Sequence, residues 1–478
     1  MATEHSQSGL HGPKVWAASA VAGAILGYLT SLVISLPVSD HPTIEAWMVL
    51  PFAGLLACIA LMPFIANRFW HHHYPDIALF LGFMVAAFYI AEFRVAAPDH
   101  AMSYGMEKIL HAGEEFVSFI ALVGGLYVVS GGILIEVKGK ATPVANMAIL
   151  AVGAVIANIV GTTGASMLLI RPFMRLNRGR LSPLHIVFFI FIVSNCGGCV
   201  TPIGDPPLYL GYLKGVPFEW TLLNLWMDWF FVVGSLLVAF LVADKWIGNF
   251  DAPADWVHGE QPKSGVSIRG WVGLVCLALM LVGVFIPPVL KAVAKIDGLM
   301  IGAGFQIAVA VASYMLAPKE LLKGNDFTFG PVKEVGLLFA GIFLTMVPAL
   351  GFLAAKSGSL GLNNTLAFYF GTGSLSGVLD NAPTYLSFLQ VAFGEAEITP
   401  SGMHDFLGTP RGQDTLNAIS TGAVFFGAMT YIGNGPNFMV KAIAEASGVR
   451  MPGFFGYLGR SCLILLPVLV AHSLILVR

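Results

Sequence analysis

Two aspartates stand alone in apolar sequence. Asp205 closes the run Ser194-Asn195-Cys196-Gly197-Gly198-Cys199-Val200-Thr201-Pro202-Ile203-Gly204-Asp205, in a stretch otherwise free of formal charge from Arg180 to Lys214. Asp380 lies in Ser376-Gly377-Val378-Leu379-Asp380-Asn381-Ala382-Pro383-Thr384, and neither acid has a lysine or arginine close in sequence. A carboxylate inside a membrane needs a cation, a proton or strong local donors. It can change protonation, and when ionised it offers oxygen ligands to a small hard cation, with Asn and Thr side chains and released carbonyls completing the shell. Asp205, Asp380, Asn195, Thr201, Asn381 and Thr384 are therefore candidate cation- or proton-binding residues, with sodium held through Asp205, Asn195, Asp380 and Asn381. The structural alternative at either aspartate is a turn or helix cap.

The elements that must position these residues announce themselves by repetition. Ile203-Gly204-Asp205-Pro206-Pro207 in the first half answers Ile432-Gly433-Asn434-Gly435-Pro436 in the second, at an offset of 229 positions. Upstream of each lies another interruption, Asn158 to Gly164 and Gly377 to Pro383. Glycine permits unusual torsions and proline removes an amide donor, so these segments predict broken helices or re-entrant turns. Freed backbone groups cannot face lipid, and the breaks must face the protein interior. Asn158, Thr162, Thr163, Asn434 and Asn437 then form a second broken-helix site, in the manner of secondary transporters.

Composition supplies the setting. Of 478 residues, 56% are apolar and only 11% charged, too few polar groups to cover a water-facing surface. Mean hydropathy is +0.79. Apolar segments at about 15–37, 46–66, 76–96, 116–135, 144–170, 184–210, 222–243, 269–290, 298–317, 335–355, 362–379, 384–394, 417–440 and 453–476 predict an all-α polytopic membrane protein of the cell inner or plasma membrane. Some are too long for one span and some too short to cross. The first reads as a transmembrane helix rather than a signal peptide, because it leads directly into another apolar segment. The polar stretch 244–268 reads as a linker between membrane halves at 1–243 and 269–478.

Arg171, Arg175, Arg178 and Arg180 form a basic loop that the positive-inside rule places in the cytoplasm, whereas the acidic region near Asp99, Glu107, Glu114 and Glu115 carries little topological weight. A net charge of −2 gives no reason to expect nucleic acid; membrane lipids are the expected partners. The run His71-His72-His73 reads as a surface loop, Glu136 as a membrane-edge ion pair with Lys138 and Lys140 or part of a proton path, and His185 as interfacial packing or a titrating group. Cys196 and Cys199 have metal-site spacing without a second pair, which excludes zinc. No phosphate loop, dinucleotide fingerprint or hydrolase nucleophile motif is present, so no enzyme and no cofactor is expected beyond sodium and protons as transported or coupling ions.

The run from Ser194 to Asp205 resembles the first-half signature of NhaD-type sodium/proton antiporters and related arsenite permeases, and Val378-Leu379-Asp380-Asn381-Ala382-Pro383-Thr384 resembles their second-half signature. The resemblance implies two inverted repeats with broken helices and re-entrant hairpins, commonly a homodimer, and alternating access, and it points to Asp205 and Asp380 with Asn195 and Asn381 beside them. This sequence departs from the pattern at Cys196 and Cys199 and at the neutral Asn434. Two isolated acids suit competing cations, so the expected activity is secondary sodium/proton antiport. Sodium- or proton-coupled citrate or dicarboxylate transport, arsenite permeation and a membrane scaffold without flux are the alternatives.

Overall fold

In hydrocarbon, a chain that spans as helices satisfies its backbone N–H and C=O groups within each segment, and the apolar runs fold accordingly. The computed structural model describes residues 12–34, 43–95, 102–247, 265–394, 396 and 398–477. Its helices are α1 (Pro13–Val33), α2 (Leu50–Ile65), α3 (Asn67–Glu92), α4 (Tyr104–Gly131), α5 (Pro143–Leu176), α6 (Pro183–Ile192), α7 (Pro206–Leu213), α8 (Phe218–Ile247) and α9 (Trp271–Ala294). They continue as α10 (Leu299–Leu316), α11 (Lys319–Gly324), α12 (Gly330–Lys356), α13 (Thr365–Ser376), α14 (Asn381–Phe393), α15 (Pro400–Leu407), α16 (Pro410–Phe426), α17 (Gly435–Ala446) and α18 (Phe454–Ile475). Among the described residues, 10 helices are long and apolar enough to cross a membrane. The chain is an all-α multi-pass membrane protein.

One exception to helix is a two-stranded antiparallel ribbon, β1 (Leu134–Lys138) and β2 (Gly265–Arg269), which pairs Leu134 with Arg269 and Lys138 with Gly265. Glu136 lies in β1 opposite Ser267. Of the expected linker 244–268, residues 244–247 continue α8 and 265–268 enter the ribbon. Residues 248–264, and Asp99 in the acidic region, lie outside the described residues.

The chain divides into two compact units. The smaller holds residues up to Ile120, Gly330–Gly361 and Gln390–Glu397. Its core joins Met48, Val85, Phe88, Tyr89, Phe93 and Ile109, and Phe119 stacks on Phe339 with ring centroids 4.7 Å apart. The triple histidine lies here, within α3 and not in a loop. The helix already starts at Asn67, and it holds the polar run in place: His72 Nδ1 sits 2.7 Å from the Arg68 carbonyl and His73 Nδ1 3.0 Å from Asp76 Oδ2.

The larger unit, Ala121–Phe329, Leu362–Leu389 and Ile398–Arg478, carries all four interruptions. The apolar segment expected over 184–210 is split. Helix α6 has 10 residues, about 15 Å at the helical rise and half the thickness of a hydrocarbon core, and is buried from His185 onward. A 3₁₀ turn at Cys196–Gly198 and an irregular stretch then lead to α7. The second half repeats the sequence of elements: α16, a 3₁₀ turn at Gly427–Met429, an irregular stretch and α17. Arg171 and Arg175, expected in a loop, form the last turns of α5; Arg171 Nε donates to Asp326 Oδ2 at 3.1 Å.

Candidate functional site

The first interruption is set by one glycine. Helix α5 runs from Pro143 to Leu176, but Gly161 sits at φ 75°, ψ 157°, a conformation that side chains disfavour, and the helix breaks there. The amide of Thr162, freed by the break, donates to the Gly204 carbonyl at 2.8 Å. Asn158, just before it, fastens the other strand of the crossing: its Oδ1 accepts from the Val200 amide at 2.8 Å, its Nδ2 donates to the Gly197 carbonyl at 2.6 Å, and its carbonyl accepts from Thr201 Oγ1 at 2.6 Å. A broken helix and an irregular stretch thus satisfy each other.

Asp205 occupies the N-cap of α7 with extended backbone, φ −145°, ψ 146°, yet its side chain caps nothing. The carboxylate, 1% exposed, turns inward: Oδ1 accepts from Thr162 Oγ1 at 2.7 Å and from Asn434 Nδ2 at 2.8 Å, and Oδ2 accepts from Asn381 Nδ2 at 2.6 Å. Its bonded partners among the described residues are these three neutral donors. Asn434 mirrors Asp205. It is the N-cap of α17 at φ −157°, ψ 142°, and it too spends its side chain away from its own helix. Three of the four interruptions therefore meet through α5, α7 and α17, and the fourth contributes Asn381, the first residue of α14.

A second amide pair lies alongside. Asn195 Nδ2 donates to Asn437 Oδ1 at 2.6 Å and to the Ile190 carbonyl at 2.8 Å, while Asn437 Nδ2 donates to the Gly427 and Thr430 carbonyls at 2.8 and 2.9 Å. Asn195 Oδ1 is buried with no protein partner among the described residues. Thr163 joins Gly161, Thr162, Gly204, Asp205, Leu126 and Tyr209 around a small cavity beside the carboxylate.

Three expected ligands sit differently. Asp380 Oδ1 accepts from the Ala382 amide at 3.0 Å and so caps the start of α14, Thr384 Oγ1 donates back to the Asp380 carbonyl at 2.8 Å, and Thr201 is taken up by Asn158. Sequence reasoning missed the hydroxyl pair Ser166–Ser194, 2.7 Å apart, and a pair of glycine contacts: Gly204 packs on the Gly198 carbonyl and Gly433 on the Gly427 carbonyl. The repeat carried a signal for the second. Continuing its alignment five residues upstream of Ile203 and Ile432 sets Gly198 against Gly427.

Membrane helices broken around a buried set of carboxylate, amide and hydroxyl groups define a secondary-active transporter of the ion-transporter type, and not an enzyme. Residues 41–477 match the family described as "Putative citrate transport", and the chain belongs to this CitMHS-type family. It is similar to two uncharacterized transporters, one from Mycobacterium bovis and one from Mycobacterium tuberculosis, each 27% identical over 328 residues that cover 65% of this chain and 72% of the relative. The match corrects the resemblance to NhaD-type antiporters and arsenite permeases. That resemblance rested on two short runs whose Asn, Gly, Asp and Pro residues serve the breaking of helices, a need common to transporters of different cargo; the family match spans nearly the whole chain.

Proposed function

We propose that the protein carries citrate or a related carboxylate across the membrane together with a cation, sodium or a proton, by alternating access. The observation that carries this reading is the buried carboxylate of Asp205, ringed by neutral donors from both halves of the chain. Helix N-termini favour carboxylate ligands, and α7, α14 and α17 all begin at this constellation. A substrate carboxylate brought there would be repelled by an ionised Asp205. Binding therefore requires a companion cation or proton, and coupling follows from the charge count. The family match supports citrate as the cargo.

The same reading includes inverted repeats with re-entrant hairpins. Asp205 and Asn434 are repeat equivalents, 229 positions apart, and they are hydrogen-bonded to each other. A residue touches its own equivalent only near the axis that relates two halves, which supports a pseudo-twofold axis through this bond. Asn158, Thr162, Asn195, Asn381 and Asn437 surround that axis as proposed substrate- and cation-binding residues, with Asp380, Thr163, Thr201 and Thr384 at its edge. Assembly as a homodimer belongs to this reading and is checked by the mass of the detergent-solubilised protein.

The test is uptake of radiolabelled citrate by purified protein in sealed proteoliposomes under an inward sodium gradient, an inward proton gradient, or neither. Accumulation that needs one of the gradients and collapses with the matching ionophore is expected. Sodium-driven proton movement without transport of citrate or a dicarboxylate would overturn the reading.

A further inference from the structure

Helix α8 carries an acid that the Asp205 constellation does not use. Asp228 lies eleven residues into an apolar 30-residue helix and is 3% exposed. Its Oδ1 is 2.8 Å from His472 Nε2 on α18, and its Oδ2 accepts from Asn417 Nδ2 on α16 at 3.0 Å. His472 is fully buried, with Phe231, Phe425 and Tyr369 rings 5.4 to 6.1 Å from its own. Its other nitrogen, Nδ1, is 3.0 Å from the hydroxyl of Tyr369 on α13, and that hydroxyl also reaches the Leu469 carbonyl at 3.3 Å.

These partners accommodate two protonation states without rearranging a backbone. With both ring nitrogens protonated, Nε2 donates to Asp228, Nδ1 donates to the phenol oxygen, and the phenol hydrogen goes to Leu469. With Nδ1 bare, the phenol hydrogen swings to it and the Leu469 bond is released. One proton is gained or lost at Nδ1, and the Asp228 carboxylate balances the positive charge of the protonated ring. Among the described residues, the titratable groups that interact with the pair are Tyr369 on α13 and the Cys199 thiol, just after the Cys196–Gly198 turn between α6 and α7, with Cys196 interacting with Tyr369 in turn; α16 presents the neutral Asn417.

The cluster is wired to the breaks. Trp229, the neighbour of Asp228, donates through Nε1 to the Gly197 carbonyl at 2.8 Å. Helix α13 runs from Tyr369 to the interruption before Asn381, and α16 runs from Asn417 to the Gly427 turn, where a side chain on Gly427 would meet Asn195 Oδ1 and Asn381 Nδ2 at 3.3 Å. Along these two helices Asn417 Oδ1 and Thr372 Oγ1 are buried polar atoms without a protein partner among the described residues.

We propose that Asp228 and His472, oriented by Tyr369, form a proton-binding site separate from Asp205, whose proton is exchanged as part of the transport cycle. This rests on the reading of the protein as a cation-coupled carboxylate transporter. Loading the carrier with substrate on both sides requires no net proton release, whereas uphill accumulation does. Asp228→Asn and His472→Gln are therefore expected to keep citrate-for-citrate exchange within about twofold of wild type while accumulation driven by a pH gradient falls about tenfold or more. Tyr369→Phe, which removes the swinging hydrogen but keeps the ring, should shift the pH profile of net uptake without abolishing exchange. Equal loss of exchange and accumulation in these variants, or wild-type pH-driven accumulation in all of them, would overturn the proposal.

A second readout needs no substrate: nitrogen NMR of the ¹⁵N-histidine-labelled protein in detergent, with His472→Gln identifying the resonance. A resonance that titrates in wild type and changes its profile in Asp228→Asn supports the site. If it titrates while citrate is not transported at all, the proton site stands and the cargo assignment fails; if citrate is transported and the resonance does not titrate, the proton site is wrong.

Discussion

At the scale of residues, Asp205 and Asp380 look alike in sequence and behave differently in space. Each lies just before a Pro at a break, but only Asp205 turns its carboxylate away from its own helix and takes three donors from elsewhere. Replacing it with alanine leaves Thr162, Asn381 and Asn434 facing nothing, at about 1–3 kcal/mol for each buried donor left unmade. Asp205→Asn sets one amide nitrogen against another at Asn381. We predict that Asp205→Asn lowers gradient-driven uptake by roughly a hundredfold and lowers the melting temperature, and that Asp205→Asn/Asn381→Asp restores the melting temperature by reversing the pair. Asp380→Asn, which keeps an oxygen to cap the Ala382 amide, should lower uptake by less than about fivefold. Thermal melts in detergent and liposome uptake read both; equal losses at the two positions would contradict the asymmetry. That both acids sit at breaks was legible in the residues, because a charge in 20 apolar residues has few places to go. Which way each carboxylate points was not, since the donors of Asp205 come from positions up to 229 residues distant.

At the scale of elements, the breaks are written in Gly and Pro, and the helix types follow from apolar length alone. The sequence reading placed the four interruptions and erred where polar residues continue a helix: His71 to His73 belong to α3, and Arg171 and Arg175 to α5. Both errors assumed that a polar run ends a membrane helix, whereas a helix can extend past the apolar core into the interface. The ribbon escaped the reading because β2 is exposed throughout and lies in a segment too short and polar to suggest a strand partner. The break in α5 depends on a left-handed glycine. Gly161→Ala should cost about 1–3 kcal/mol from backbone strain, because φ 75°, ψ 157° is a region that essentially only glycine adopts. We expect it to lower the melting temperature and to slow uptake more than the same change at Gly54, which sits inside α2 with open space where a Cβ would go. Similar behaviour of the two variants would argue against a conformational requirement at Gly161.

At the scale of the whole molecule, orientation in the bilayer is the property the basic cluster decides. Arg178 is exposed at the end of α5, beyond Arg171 and Arg175 in the last turns of that helix, and Arg180 is drawn to the buried Asp244 on α8. A single cysteine introduced at Arg178 in an otherwise cysteine-free protein should react with an impermeant maleimide only after the cells are opened. Labelling of intact cells would reverse the assigned topology. The ribbon has a consequence of another kind, in time rather than space. Leu134 to Lys138 leave the ribosome early, and Gly265 to Arg269 follow only after the whole of α5 to α8 has been made. Throughout that interval β1 has no partner strand, although Leu134 and Ile135 are side chains that the finished protein buries. Closing a loop of more than about a hundred residues costs only slowly growing entropy, so the delay is set by synthesis and not by the search. Every nascent chain therefore passes through a stage in which both breaks of its first half have been synthesised while the strand that pairs with β1 is still unmade.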